Sequence, residues 1–169
     1  FASATSRIGV ESGSLIEPFA GYISNIRIVT GAAVYTAAFT PAGPLTSITG
    51  TQLLTCQSNR FKDNGPGNTI TPTNSAMASP FSPFTPTASY VATTNGGSYN
   101  FNGTSDYARI TTAQSMLGFS TGDFTIECWA YFNSVSGGRI IDLRTLGGGI
   151  SQAKPLLFLS SGTIQYYTS

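Results

Sequence analysis

Residues 123–132 read DFTIECWAYF, and this stretch decides the fold class of the chain. Every second residue from Phe124 to Phe132 is apolar or small, while the residues between them are Thr125, Glu127, Trp129 and Tyr131. Successive side chains of a β-strand point to opposite faces, so this alternation predicts a strand with one face on a core. The second face carries a mixture of polar and aromatic side chains.

The sequence around this strand alternates in the same way. Residues 19–30 (FAGYISNIRIVT) predict a strand apolar on both sides, with one face formed by Tyr22, Ser24, Ile26 and Ile28 and the other by Ile23, Asn25, Arg27 and Val29. Shorter strands are predicted at 52–56, 69–73, 98–101, 107–110, 139–143, 156–159 and 163–167, and a single helical turn at 114–118. We expect hairpins to join 98–101 with 107–110 and the last two strands with each other. The pattern predicts an all-β protein, an antiparallel β-sandwich.

Composition excludes several classes of function. The 169 residues carry a net charge of +1 and no histidine, and only 9% are charged, against about 25% in an ordinary soluble protein. No basic footprint for nucleic acid is present, and histidine-dependent nucleophiles and zinc sites are excluded. No apolar stretch is long enough for a membrane span, so we expect neither a nucleic-acid partner nor membrane insertion.

Prolines and cysteines give two further expectations. Residues 79–86 (SPFSPFTP) hold three prolines, which predicts an extended segment that packs Phe81 and Phe84 over an edge of a sheet. Cys56 and Cys128 each lie in an apolar run. We predict buried, reduced thiols that act as small hydrophobic side chains, with a disulfide as the alternative.

Two groups of motifs resemble one known family. Residues 101–107 (FNGTSDY) and 122–129 (GDFTIECW) resemble the opening half of concanavalin A-like lectin/glucanase domains of the laminin G-like type. Residues 19–28 (FAGYISNIRI), followed by VY at 34–35 and FTP at 39–41, resemble the closing strand of the same family. The resemblance covers roughly 51–169 with the first group and 1–50 with the second, and it implies a jelly roll.

The order of these motifs bears on domain organisation, because the closing motif precedes the opening one. We therefore expect a fragment of a longer chain, in which 1–50 form the C-terminal strands of one laminin G-like unit plus a linker. Residues 51–169 would form the N-terminal part of a second unit. The alternative is a single permuted sandwich, in which 1–50 complete the sheet that begins at 51.

The sequence TQLLTCQSNRF at 51–61 is similar to sequences in structural proteins of tailed phages that infect marine cyanobacteria. This resemblance implies a non-enzymatic virion module of tail-fibre type, which could contribute to adhesion to host-surface glycans. It implies other copies of the chain or virion proteins as partners, a homo-oligomer, and a location in the virion. The alternatives are a secreted glycan-binding lectin domain and an accessory module of a polysaccharide-active enzyme.

The residues themselves favour binding over catalysis. A glycosidase needs two carboxylates at the scissile bond, and Glu127 has no acidic partner at positions 129 or 132 of its strand. A saccharide site needs aromatic rings and a few polar groups, which the face of Thr125, Glu127, Trp129 and Tyr131 would supply. The competing interpretation is that the two large aromatic residues pack between the sheets or under a loop.

No cofactor is predicted, with Ca²⁺ as one alternative, because some laminin G-like domains hold it at loop rims. Ca²⁺ takes six to eight oxygen ligands, and two loops carry candidates: Asp63 with Asn64 and Asn68, and Asn102 with Ser105 and Asp106. Such residues more often form turns by hydrogen bonding to their own backbone.

Overall fold

The computed structural model describes residues 6–11, 13–84, 96–111, 122–144 and 156–167. These ranges contain no helix, and so none long and apolar enough to cross a membrane. The helical turn predicted at 114–118 lies outside them. Their strands are β1 (Ser6–Ile8), β2 (Ala20–Thr30), β3 (Thr51–Thr55), β4 (Thr69–Thr73), β5 (Met77–Ser79), β6 (Ser98–Asn102), β7 (Tyr107–Thr111), β8 (Phe124–Phe132), β9 (Gly137–Asp142), β10 (Leu156–Ser160) and β11 (Thr163–Tyr167).

The strands form two antiparallel sheets, which confirms the predicted all-β sandwich. Sheet I has the order β11-β10-β9-β1-β7-β4, and sheet II contains β3, β2, β6, β5 and β8. The core between them combines isoleucines of sheet I, such as Ile8, Ile110 and Ile141, with Ile23 and Tyr99 of sheet II. A jelly-roll order of connections stays a prediction.

Strand β2 organises sheet II because it has partners along both edges. Tyr22 lies opposite both Asn100 of β6 and Tyr131 of β8, while Arg27 lies opposite both Leu54 of β3 and Glu127 of β8. A strand has only two hydrogen-bonding edges. Strand β8 therefore follows one edge of β2, and β6 and β3 share the other edge end to end.

The predicted faces of β2 are wrong beyond Ser24. The register of the β2–β8 pair shifts between Ser24 and Arg27, and Asn25 has a φ of 52°. The irregularity advances the alternation by one residue, as a β-bulge does. Ile23, Ile26 and Ile28 consequently all lie in the core. The outer face carries Tyr22, Ser24, Arg27 and Val29, in line with Tyr131, Trp129, Glu127 and Thr125 of β8.

The two predicted hairpins have different outcomes. Strands β10 and β11 pair from Leu156↔Tyr167 to Ser160↔Thr163, which confirms the C-terminal hairpin. The hairpin predicted between 98–101 and 107–110 is wrong, since β6 belongs to sheet II and β7 to sheet I. Both strands turn apolar residues to the core, but from opposite sides. Alternation within a strand shows which residues are buried and does not identify the pairing partner.

Neither sheet is interrupted at the boundary predicted near Gly50. Strand β1 pairs with β7 and β9, and β2 pairs with β3, β6 and β8, so strands from 1–50 lie inside both sheets. This pairing supports the alternative in which residues 1–50 complete the sandwich begun at 51. The assignment of either segment to a laminin G-like unit stays a prediction.

Candidate functional site

The outer face of sheet II brings the predicted saccharide-binding residues together with side chains from β2. Thr125, Glu127, Trp129 and Tyr131 point away from the core, whereas Ile126, Cys128, Ala130 and Phe132 pack against it. The alternation predicted for this strand is therefore confirmed. Trp129 lies opposite Ser24, and Tyr131 opposite Tyr22.

The loop formed by 31–50 contacts Thr125 and Glu127, the first two residues of this face. The Thr125 hydroxyl accepts a hydrogen bond from the Val34 amide at 2.9 Å and donates one to the Ala32 carbonyl at 3.3 Å. Glu127 forms an ion pair with Arg27, with 2.6 Å between Oε1 and the arginine Nε. The structure thus gives these two predicted site residues partners within the chain.

The charge of Glu127 is satisfied on both carboxylate oxygens. Oε2 accepts a hydrogen bond from the Tyr35 hydroxyl at 2.6 Å, and Arg27 also donates to the Thr46 carbonyl at 2.8 Å. The hydrogen bond to Glu127 raises the pKa of Tyr35 above its ordinary value, because ionised tyrosine would lose that bond and face a second negative charge. The arrangement fastens the loop to the sheet and offers no free carboxylate.

The second half of the face forms a pocket of about 210 Å³. Its rings are Tyr22, Trp129 and Tyr131 of the sheet and Phe81 of the segment that follows β5. The Phe81 ring centroid lies 4.7 Å from that of Tyr22 and 5.6 Å from that of Tyr131. We call this set the aromatic pocket, with Pro83, Ala130, Ser24 and Ser98 completing its lining.

The proline-rich segment contributes to the pocket much as its composition predicted. Phe81 packs on the two tyrosines, and the Phe84 ring lies edge-on to Trp129 at 4.7 Å. The described part of the segment lies over the outer face of the sheet rather than over its edge alone. The large aromatic side chains therefore lie on the outer face and not between the sheets. Trp129 packs under the proline-rich segment, as the other half of the competing interpretation held, whereas Tyr131 is 57% exposed.

Two almost fully buried serines border the pocket. Ser24 Oγ donates to the Gly97 carbonyl at 2.5 Å and accepts from Asn25 Nδ2 at 2.9 Å. Ser98 is 1% exposed, and its Oγ has no hydrogen-bond partner among the described residues. Sequence reasoning missed Ser98, Tyr22 and Phe81 as pocket residues, because only the register of β2 with β6 and β8 brings them together.

Asp63 and Asn64 lie in a loop that is organised by hydrogen bonds. Asp63 accepts them from the amides of Leu54, Gly65 and Asn68 at 2.8–2.9 Å. The Asn64 side chain donates to Gln57. Nitrogen donors, and not free oxygens, thus surround the carboxylate, so this arrangement does not fit the coordination shell of Ca²⁺.

The second metal candidate has a similar turn structure. Asn102 Oδ1 accepts from the amides of Thr104, Ser105 and Asp106, while Asp106 accepts from the Asn102 and Ser75 amides. The described part of the chain has no group of three or more His, Cys, Asp or Glu side chains placed to hold a metal ion. Ca²⁺ at the Asn102 loop stays a prediction, whereas the hydrogen bonds around Asp63 do not fit a Ca²⁺ site in this arrangement.

Both cysteines are free thiols in the structure. Cys56 lies in the core, and Cys128 packs against it. Burial raises the pKa of the Cys128 thiol to about 12, and Glu127 adds to the shift. Burial also raises the pKa of Cys56, with Cys128 as the second cause.

We expect both thiols to be unreactive in the native protein and reactive after unfolding. The thiolate is the nucleophile, and at a pKa of about 12 only about one Cys128 in ten thousand is ionised at pH 8. Alkylation at pH 8 without reductant, followed by mass spectrometry, should give no adduct in buffer and two adducts in denaturant. Labelling in buffer, or an unmodified pair in denaturant, would contradict this.

The fold and the pocket together define the class: an all-β antiparallel sandwich with an aromatic pocket on the outer face of one sheet. Comparisons with protein-family models, with curated proteins and with solved structures found no match. The resemblance to concanavalin A-like, laminin G-like domains stays a prediction from the sequence.

Proposed function

We propose that this chain is a non-enzymatic structural module of a virion appendage, of tail-fibre type, and that its aromatic pocket contributes to adhesion by binding host-surface glycans. The pocket is the observation that carries the adhesive role. Sugar rings have C–H faces that stack on aromatic side chains and hydroxyls that need hydrogen-bonding groups. Tyr22, Trp129 and Tyr131 supply the rings, and Ser24 borders the pocket beside them.

The virion context of the proposal comes from the sequence. The stretch at 51–61 and the laminin G-like motifs support an appendage protein that associates with other copies or with virion proteins. A secreted lectin domain and an accessory module of an enzyme would use the same pocket. Structural genes of a phage beside the reading frame would favour the virion interpretation over both alternatives.

The surroundings of Glu127 support a binding role over hydrolysis. Glycosidases use two carboxyl groups, about 5–9.5 Å apart, and at least one of them must reach the substrate. Among the described residues, no carboxylate lines the pocket, and the nearby Glu127 is bonded to Arg27 and Tyr35.

Tyr131→Ala should weaken glycan binding about tenfold, since a lost aromatic stack of about 1.4 kcal/mol corresponds to that factor. Tyr131 is 57% exposed, so we expect the variant to remain folded. Binding to an array of surface polysaccharides measures the effect. Tyr166→Ala is the matched control, because it removes a tyrosine that is 42% exposed on β11 of the other sheet.

Two results would contradict the adhesive role. One is an intact wild-type chain that binds no polysaccharide on the array. The other is equal binding by the Tyr131→Ala and Tyr166→Ala variants, which would place any contact with glycans outside the aromatic pocket.

A further inference from the structure

We infer that the aromatic pocket binds a quaternary ammonium group of the trimethylammonium type, held by cation–π attraction to its rings. The inference rests on the proposed function for the carrier of this group, a host-surface glycan with a choline-type substituent. It deepens that proposal because it names the part of the glycan that enters the pocket.

The arrangement of the rings is the first argument. Tyr22, Phe81 and Tyr131 have ring centroids 4.7, 5.6 and 6.2 Å apart, with interplanar angles of 43–71°. A cation is attracted to an aromatic ring when it lies within about 6 Å of the ring centroid. Three centroids this close together allow one cation over the group to be within that distance of all of them. Trp129, the ring type with the strongest cation–π attraction, lines the same pocket.

The buried serines distinguish a quaternary from a primary ammonium group. Ser98 is 1% exposed and Ser24 is 3% exposed, and the Ser24 hydroxyl is already bonded to Gly97 and Asn25. A primary ammonium has three N–H donors that would lose their bonds to water in the pocket, and neither serine can replace them. A quaternary nitrogen carries methyl groups in place of N–H bonds, so it loses no such bonds when it enters.

The charges around the pocket favour a cation over an anion. None of the lining residues is Lys, Arg, Asp or Glu. The charges next along the paired strands, on Arg27 and Glu127, are bonded to each other. A carboxylate or sulfate would meet the negative faces of the rings, whereas a cation is attracted to them.

The size of the pocket suits a compact group. Pockets for drug-sized molecules hold roughly 300–1,000 Å³. The aromatic pocket, at about 210 Å³, is smaller, so a trimethylammonium group enters and the rest of the glycan stays outside. Phe81 and Tyr131 are about half exposed, so a ligand reaches their rings from solvent.

The experiment titrates the chain with choline chloride and follows the fluorescence of Trp129, the single tryptophan of the chain and a lining residue. The matched probe is dimethylbutanol, the neutral isostere of choline in which a tert-butyl group replaces the trimethylammonium group. Ethanolamine presents a primary ammonium instead. Tyr131→Leu and Phe81→Leu each replace a ring with an apolar side chain, and Tyr166→Leu makes the same change on β11 of sheet I.

We expect choline to bind the wild type and Tyr166→Leu with millimolar affinity, and dimethylbutanol and ethanolamine to bind about tenfold more weakly. Tyr131→Leu and Phe81→Leu should each weaken choline binding about fivefold, since each removes one ring from the contact. Equal binding of choline and dimethylbutanol, tighter binding of ethanolamine, or choline binding that neither variant weakens would overturn the inference.

Competition on the polysaccharide array separates the inference from the proposed function. Choline should displace the chain from the polysaccharides that it binds. Polysaccharide binding that choline does not displace would overturn the inference and leave the proposed function standing. Choline binding without any polysaccharide binding would support the chemistry of the pocket and contradict the adhesive role. Binding to phosphatidylcholine vesicles in place of polysaccharide would make a membrane the carrier and overturn the assignment to a glycan.

Discussion

Gly21→Ala should destabilise the protein by at least about 4 kcal/mol, the range reached only by severe packing or backbone defects. Gly21 lies in β2 with a φ of 146°, and a Cβ built there would lie 2.0 Å from the Tyr131 carbonyl oxygen. That oxygen belongs to the backbone of the paired strand β8 and cannot rotate away. Relief of the overlap requires β2 and β8 to separate beside the aromatic pocket, and urea denaturation measures the loss.

Gly31→Ala is the control that separates the effect of steric overlap on stability from the effect of backbone strain. Gly31 also has a positive φ, 80°, but a Cβ at this position would have no atom within 4 Å. We expect this variant to lose only about 1 kcal/mol, the strain of an L-residue in the left-handed region. Equal losses for Gly21→Ala and Gly31→Ala would show that strand separation contributes nothing.

Asn25→Ala should reduce the free energy of unfolding by about 3 kcal/mol, the sum of lost buried hydrogen bonds and backbone strain. Asn25 is fully buried, and its Oδ1 accepts from the Leu45 amide at 3.0 Å and from Gln57 Nε2 at 2.8 Å. Without that oxygen the Leu45 amide loses its bond. The alanine must also adopt the φ of 52° that the bulge requires. Urea denaturation again provides the measurement.

Asn25→Gly is the matched variant for this position. Glycine tolerates a positive φ, so only the hydrogen-bond part of the loss, about 2 kcal/mol, should remain. An alanine variant as stable as the wild type would contradict the role of Asn25 in the bulge. An alanine variant no less stable than the glycine variant would show that the left-handed conformation contributes no strain.

The sequence by itself determined where individual strands form and which residues share a face of a strand. The alternation in 123–132 predicted both the strand β8 and its two faces, because a side-chain period of two is a property of the strand itself. The C-terminal hairpin was likewise predicted locally, from the Ser-Ser-Gly turn at 160–162 between two short apolar strands. The alternation also placed Trp129 and Tyr131 on one face of the strand, and the structure shows that this face is the outer one, where they form half of the aromatic rings of the candidate site.

Only the tertiary structure decided which strands pair, in which register, and which distant residues contact one another. The bulge at Asn25 changed which side chains of β2 reach the core, and its bonds to Leu45 and Gln57 join segments 20 and 32 residues away. Arg27 lies 100 residues from Glu127 in the sequence, yet the two form an ion pair. This ion pair and the loop above it occupy Thr125 and Glu127, which are half of the predicted binding face. Only the pairing of β2 with β6 and β8 brings Ser98 beside the rings. A period of two specifies the face of a residue and leaves its partner strand open, so register and loop placement depend on contacts between distant parts of the chain.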